Sequence, residues 1–273
     1  MENPNFIEEF ERLCDGFTFV DSWDSEKITP DTFRAYARNV PSKIASRDFI
    51  SSVQRTYQED QLTFKYSIDL ERRRYSHQDW VDASDLTRSF LDQQVKEQDT
   101  LCFFKGAIFQ FTFNDNSNSM FSQSQLCLCY HPPDQESLDN FRSIKILAFP
   151  NTIKYDNFEF DDTKDEEYYI SNLGFKKVTV TVAPERICYC NDIKSMRKQY
   201  GLRHYVTGTL HSAMGDTHHK MALSISDVQK EYSLWDRGQL IVAISRTRIM
   251  KNTIFVGNKT ETIKAMKPLL AKN

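Results

Sequence analysis

The stretch from Tyr205 to Gly257 constrains this 273-residue chain more than any other. It holds two polar segments, TGTLHSAMGDT (Thr207 to Thr217) and GQLIVAISRTR (Gly238 to Arg248), on either side of an apolar run, Met221–Ile225. A second apolar run, Thr253–Val256, follows. Short apolar strands joined by helix-length segments predict a parallel α/β sheet, where ligands collect at the carboxyl ends of the strands. Both polar segments are rich in the side chains that seek phosphate. Everything upstream reads as a platform that presents them.

That platform starts with an amphipathic helix over Asn3–Cys14, its apolar face made by Phe6, Ile7, Phe10 and Leu13. Phe17–Val20 and Thr32–Ala37 are strand candidates, and Ser42 can cap a helix running from Lys43 to about Thr56. Leu62, Phe64, Tyr66 and Ile68 alternate as in a strand, and Ser84–Val95 is helical in pattern. The Arg72-Arg73-Arg74 run fits either a solvated turn or a phosphate contact. Between Thr100 and Pro150 short apolar runs alternate with polar turns, which predicts a small antiparallel barrel or sandwich. Lys177–Val182 is a further strand candidate. After Asn191 the α/β pattern returns: a short strand at Tyr205-Val206, the strands named above, and helices over Trp235–Ser245 and Glu261–Leu270. The division expected is 1–95 and 191–273 for an α/β domain, with 96–190 as a β-rich insertion.

Composition narrows the function classes. A net charge of −3 excludes a uniformly basic nucleic-acid binder, so any such binding must come from local clusters. The longest apolar run, Leu240–Ile244, is far too short for a membrane span, and the acidic N-terminus does not read as a signal peptide. A nuclear or cytoplasmic location without membrane attachment is the expectation. Six cysteines without framework spacing fit a reducing compartment. The pairs Cys127/Cys129 and Cys188/Cys190 have the i, i+2 spacing of small side chains filling one strand face, not the wider spacing of zinc ligands, so no metal site is expected. Alternating Phe109, Phe111 and Phe113 read as core, leaving Trp235 as the candidate for base stacking.

Within the first polar segment Thr209 is placed as an N-cap, Leu210–Met214 as one helical turn and Gly215 as its stop. The amides of such a turn bind phosphate, with Thr207, Thr209 and His211 as further donors. An ordinary capped strand-to-helix connection has the same pattern. In the second segment Leu240, Ala243 and Ile244 would face the sheet, leaving Gln239 and Arg246 toward the opposite edge. Arg246, ending that helix, either satisfies terminal carbonyls or reaches a γ-phosphate as an arginine finger.

Taken together, the two segments resemble the C-terminal half of superfamily-one helicases, in particular the Pif/RecD/Dda-like branch that includes Helitron-type transposon helicases. Thr209–Thr217 is similar to that family's fifth motif, approximately T-I-H-K-S-Q-G-x-T. Gly238–Arg246 is similar to its sixth, approximately G-Q-x-Y-V-A-L-S-R. Tyr36–Asn39 resembles the fourth motif, and Phe104–Asn114 the K-x-G-A-x-V-M-x-x-x-N strand. The resemblance implies a second RecA-like motor domain of the P-loop NTPase type, interrupted by a small antiparallel Src-homology-3-like β-barrel. It implies single-stranded DNA contacts by Thr209 and His211, with Arg38, Asn39, Gly215 and Gln239 near the nucleotide and Arg246 as the finger. It also implies ATP and Mg²⁺ as cofactors and 5′-to-3′ travel. Ser212 and Met214 stand where the family has Lys and Gln, which puts coupling of DNA to nucleotide in doubt.

No G-x-x-x-x-G-K-S/T phosphate loop occurs in the sequence, nor an acidic magnesium motif after an apolar strand. The expectation is therefore the C-terminal motor portion of an ATP-dependent DNA helicase, inactive alone, which needs an N-terminal RecA-like domain in cis or in trans. The alternative is a non-catalytic nucleic-acid-binding or interaction protein derived from a decayed helicase. A chance match in an unrelated α/β protein is a third reading, which a structure without a parallel sheet around Tyr205 and Thr253 would establish.

Overall fold

The computed structural model describes residues 9, 11–36, 42–75, 79–115, 120–153, 158–210, 217–225 and 237–271. In chain order it begins with β1 (Thr18–Val20), β2 (Phe33–Tyr36) and α1 (Ser42–Thr56). Then come β3 (Thr63–Tyr66), β4 (Ile68–Arg73), β5 (Val81–Asp82), α2 (Asp85–Gln94), β6 (Thr100–Phe103), β7 (Ala107–Phe111) and β8 (Leu126–Cys129). Next are α3 (Gln135–Asp139), β9 (Ile144–Ala148), β10 (Lys176–Val180), β11 (Cys188–Cys190), β12 (Ile193–Lys198) and β13 (Leu202–His204). The chain closes with β14 (Thr207–Thr209), β15 (Met221–Ser224), α4 (Arg237–Ser245), β16 (Thr253–Val256) and α5 (Lys259–Ala271).

Five strands form a wholly parallel sheet in the order β1-β16-β15-β2-β14. Its register aligns Phe33 with Met221 and Thr253 at the strand starts, and Ala35 with Leu223 and Phe255 one layer above. Parallel strands covered on both faces read as continuous apolar runs, and all four residues of β2 and of β16 are buried. Alternation still decides which core each side chain joins. Ala35, Leu223 and Phe255 pack with Leu240 and Ala243 of α4 and Met266 of α5. Ala222, Ile254, Val20 and Val256 pack on the other face with Ile28 and Trp23.

β2 and β14 are neighbours in this sheet, yet every strand from β3 to β13 lies between them in sequence. These strands pair antiparallel. One sheet runs β10-β9-β8-β7-β13, another β11-β12-β4-β5, and β3 pairs with β6. The pairs β3–β6 and β4–β12 reach across positions 96 and 190, so strands in this region extend from Thr63 to His204. Cys127 and Cys129 share one core with Phe109, Phe111, Leu101 and Phe103. Burial pushes the thiols of both up, as befits apolar filler.

Several local expectations shift by a residue or two. Tyr205 and Val206 link two sheets and are not themselves a strand: the Tyr205 amide donates to Ile108 O in the antiparallel sheet, and Val206 O accepts from the Arg34 amide in the parallel one. The parallel strand begins at Thr207. Ser42 is the first residue of α1. The N-terminal helix reading falls mostly outside the described residues, of which 11–14 are helical. Among the described residues no helix is long and apolar enough to cross a membrane.

Candidate functional site

The two ends of the parallel sheet differ. Strands finish at Val20, Tyr36, Thr209, Ser224 and Val256, and this edge carries the chain's first polar segment. β14 holds Thr209 beside Tyr36, and the Leu210 amide donates to Tyr36 O at 2.9 Å, so the chain turns away from the sheet here. Trp23 stacks on the Tyr36 ring at 5.5 Å. At the same edge Gly257, at φ 132°, donates to Val20 O, and Asn258 Oδ1 accepts from the Thr260 and Glu261 amides that open α5.

Thr207 begins β14, opposite Arg34. Its hydroxyl accepts from Gln98 Nε2 at 3.1 Å, while Gln98 Oε1 accepts from the buried His204 amide. Thr207 is thereby tied into the junction with the antiparallel strands. Gln98 carried no sequence signal of this role: a lone glutamine between two polar residues looks like surface.

Arg246 lies at the other edge of the sheet, where strands begin. It follows α4 directly, and its carbonyl accepts from the His218 amide at 2.8 Å while His218 and Thr247 form a parallel bridge. Thr247 and Thr253 hydroxyls meet at 2.6 Å, and Asn252 Nδ2 donates to His219 O, which fixes the turn. The Arg246 guanidinium donates to Ser245 Oγ at 2.9 and 3.2 Å and meets no carboxylate among the described residues. Thr209 and Arg246 therefore sit at opposite edges of one short sheet. They do not converge on a single point.

Gln239 departs from the sequence expectation. It is buried, at 4% exposure, beside the fully buried Leu240. The reason is helical spacing: Gln239 and Ala243 are four apart, so they share a face, and that face packs on the sheet. Ile241 is exposed instead. His218 was missed as a structural element. It is 1% exposed and stacks on Phe33 at 4.0 Å, which anchors the strand-start edge near Arg246. Arg38, Asn39, His211, Gly215, Ser212, Met214 and Trp235 lie outside the described residues.

A cleft of about 540 Å³ opens where the strand-start edge meets the antiparallel region, lined by Thr29, Asp31, Tyr57, Phe104, Val206 and His219. Among the described residues none of those expected in the site lines it, and Val206 brings it next to Thr207. Among the described residues no group of three His, Cys, Asp or Glu side chains is placed to hold a metal ion.

An all-parallel five-stranded sheet with helices packed on it, strand β14 at one edge and α4 ahead of β16, gives this mixed α/β chain a fold that matches a RecA-like domain. The particular likeness is to Pif1 helicases. The fold is similar to that of the Pif1 helicase from Candida albicans, with a TM-score of 0.51 and 14% identity over 99% of this chain and 55% of that one. Weaker likenesses are to Pif1 of Bacteroides bound to single-stranded DNA (TM-score 0.48, 12% identity, 93% of this chain and 46% of that one) and to Pif1 helicases at forked double-stranded DNA (0.49, 12%, 93% and 44%). The chain spans about half the length of these proteins. No protein-family model matches the sequence, and no curated protein matches it.

Proposed function

We propose that this chain is the C-terminal motor portion of an ATP-dependent DNA helicase, moving 5′ to 3′ along single-stranded DNA in company with an N-terminal RecA-like domain. The observation that carries the reading is the parallel sheet itself. It sets the two helicase-like segments on one scaffold, the first at a strand end and the second on the helix preceding β16. The Pif1-like fold supports it. In this reading Thr209, Thr207 and His211 contact the DNA strand, though the Thr207 hydroxyl must then exchange its bond to Gln98. Arg38, Asn39, Gly215 and Gln239 lie near the nucleotide, Gln239 as a buried support.

The chemistry assigned to this chain is electrostatic. A guanidinium that, among the described residues, meets a serine hydroxyl and no carboxylate fits an anionic group brought up by a partner domain, and Arg246 would hold the γ-phosphate of ATP as negative charge develops. ATP bound across both domains supplies the phosphoryl group. The magnesium ligands and the phosphate loop would belong to the other domain. The antiparallel strands are read as the inserted Src-homology-3-like barrel, their pairing favouring an insertion somewhat wider than 96–190.

The test is reconstitution with a RecA-like domain that carries a phosphate loop, followed by ATP turnover with and without single-stranded DNA. Turnover stimulated by DNA is expected, and Arg246→Ala should lower it by roughly a thousandfold. Unchanged turnover in the variant removes the finger. The substitutions at Ser212 and Met214 favour a second reading, a non-catalytic nucleic-acid-binding protein derived from a helicase. DNA binding without turnover in any pairing, together with restored turnover on Ser212→Lys and Met214→Gln, selects that reading.

A further inference from the structure

The four-stranded sheet β11-β12-β4-β5 has one covered and one open face. Cys188, Ser195 and Glu71 align across three strands and, with Asp69 and Arg197, point toward α2. There Arg197 binds Asp69 through two nitrogens and Asp92 through one, at 2.7–2.8 Å. The opposite face carries a different row. Register places Tyr189 beside Lys194 and Lys194 beside Arg72, and the Arg72 side chain reaches Trp80, the residue just before β5. Directly paired residues share a face, so this is one cross-strand line of ring, cation, cation, ring. At about 4.8 Å per strand it is roughly 14 Å long.

The row is extended by Arg74 and Lys198, two and four residues from Arg72 and Lys194 on the same face. The Arg72 guanidinium lies 4.6 Å from the Trp80 ring centroid, and that of Arg74 lies 5.1 Å from Tyr189. These contacts hold long side chains flat along the sheet. Tyr189 is 52% exposed, and Arg74 and Lys198 are exposed. Among the described residues none of Arg72, Arg74, Lys194 and Lys198 has an ion-pair partner. Two carboxylate residues share the face by the same register, Asp82 opposite Leu70 and Asp192 opposite Arg74, whose amide donates to Asp192 O. In a chain of net charge −3, uncompensated cations between two rings form a local cluster of the kind a polyanion with flat faces requires.

From this geometry we infer that the open face of β11-β12-β4-β5 binds single-stranded nucleic acid, phosphates on Arg72, Arg74, Lys194 and Lys198 and bases stacking on Tyr189 and Trp80. The site is separate from β14 and does not depend on the motor reading. An acidic peptide would satisfy the cations but leave the two rings without flat partners. Stacking on exposed rings is sequence-tolerant, so the surface takes a strand without reading its bases.

The experiment uses the full chain and a fluorescein-labelled dT20 oligonucleotide, followed by anisotropy across a salt series. Charge reversal by Arg72→Glu with Lys194→Glu should weaken binding at least tenfold and flatten the salt dependence by about 1.4 in log–log slope, two phosphates' worth on a single strand. Tyr189→Ala should weaken binding about tenfold with the slope unchanged. As a readout independent of the variants' folding, unaltered protein is also photo-cross-linked to a bromodeoxyuridine-substituted strand and its peptides mapped. Adducts within 68–82 or 186–198 are expected, and they should persist in Thr209→Ala, which separates this surface from the motor site. Parent-like binding by a folded charge-reversed variant overturns the inference. So do adducts confined to other segments, or displacement of dT20 by polyglutamate at equal charge concentration.

Discussion

The parallel sheet and the β11-β12-β4-β5 sheet use the same period-two geometry to opposite ends. β2 and β16 are buried along their whole length, because helices and loops cover both faces. In β12 the pattern alternates instead: Ser195 and Arg197 are buried while Lys198 is exposed and Lys194 half-buried. A sheet buried on both faces has no side chain left for a ligand, so its chemistry must lie at strand and helix ends. Thr209 and Arg246 occupy such ends. A sheet covered on one face can present chemistry on the other, as the row from Tyr189 to Trp80 does. Where a functional residue can sit thus follows from how many faces are covered.

The comparison can be broken at each sheet, the largest effects first. Phe255 is fully buried on β16, the strand next to the edge of the parallel sheet, with the Phe17 and Phe19 rings at 5.3 and 5.5 Å. Phe255→Ala should cost about 3–5 kcal/mol, read as a lower urea midpoint. A cost below about 1 kcal/mol would mean that the sheet is not packed on both faces. Arg197→Ala leaves Asp69 and Asp92 buried without a counter-charge, and burial already pushes the Asp92 carboxyl up. A loss of about 3–5 kcal/mol is expected at neutral pH, with partial recovery in Asp92→Asn. No recovery would show that packing, not charge, holds the covered face.

A smaller effect reports on the junction of the two regions. His204 is buried, accepts from the Cys102 amide through Nε2, and lies against Phe49 and Phe109. Burial, helped by the nearby Arg34, pushes its pKa down to about 3. The unfolded chain takes up a proton near pH 6.5, while the folded one refuses it until about 3. Stability therefore falls as pH drops through that window, by up to about 1.4 kcal/mol per pH unit, and is unaffected by His204 above it. His204→Phe should remove this slope in acid titrations of stability, at a fixed cost for the orphaned Cys102 amide. An unchanged slope would assign it to other groups. Smallest is Ser84→Ala. Ser84 caps α2 and donates to Glu71 at 2.9 Å, so about 1 kcal/mol should be lost on thermal melting.

Much of the fold was legible in sequence because local pattern and burial agree there. Thr253–Val256 and Met221–Ser224 are apolar runs too short for helices, and both are parallel strands. Ser84–Val95 reads as helical, and α2 covers Asp85–Gln94 with Ser84 as its cap. The site was less legible. Gln239 looked outward until its i, i+4 partner Ala243 fixed the buried face, and Gln98 gave no hint that it would hold Thr207. The Arg72–Arg74 run reads first as a solvated face or turn, and only second as a phosphate contact.

By itself the sequence determined which segments could be strands and helices, and that within these 273 residues nucleic-acid binding would need local charge. Those properties depend on neighbours a few residues apart. Only the tertiary structure decided that Thr209 and Arg246 stand at opposite edges of one sheet. It alone set Tyr189, Lys194, Arg72 and Trp80 in one row. Cross-strand register joins residues more than a hundred positions apart, and no local preference encodes which of them will meet.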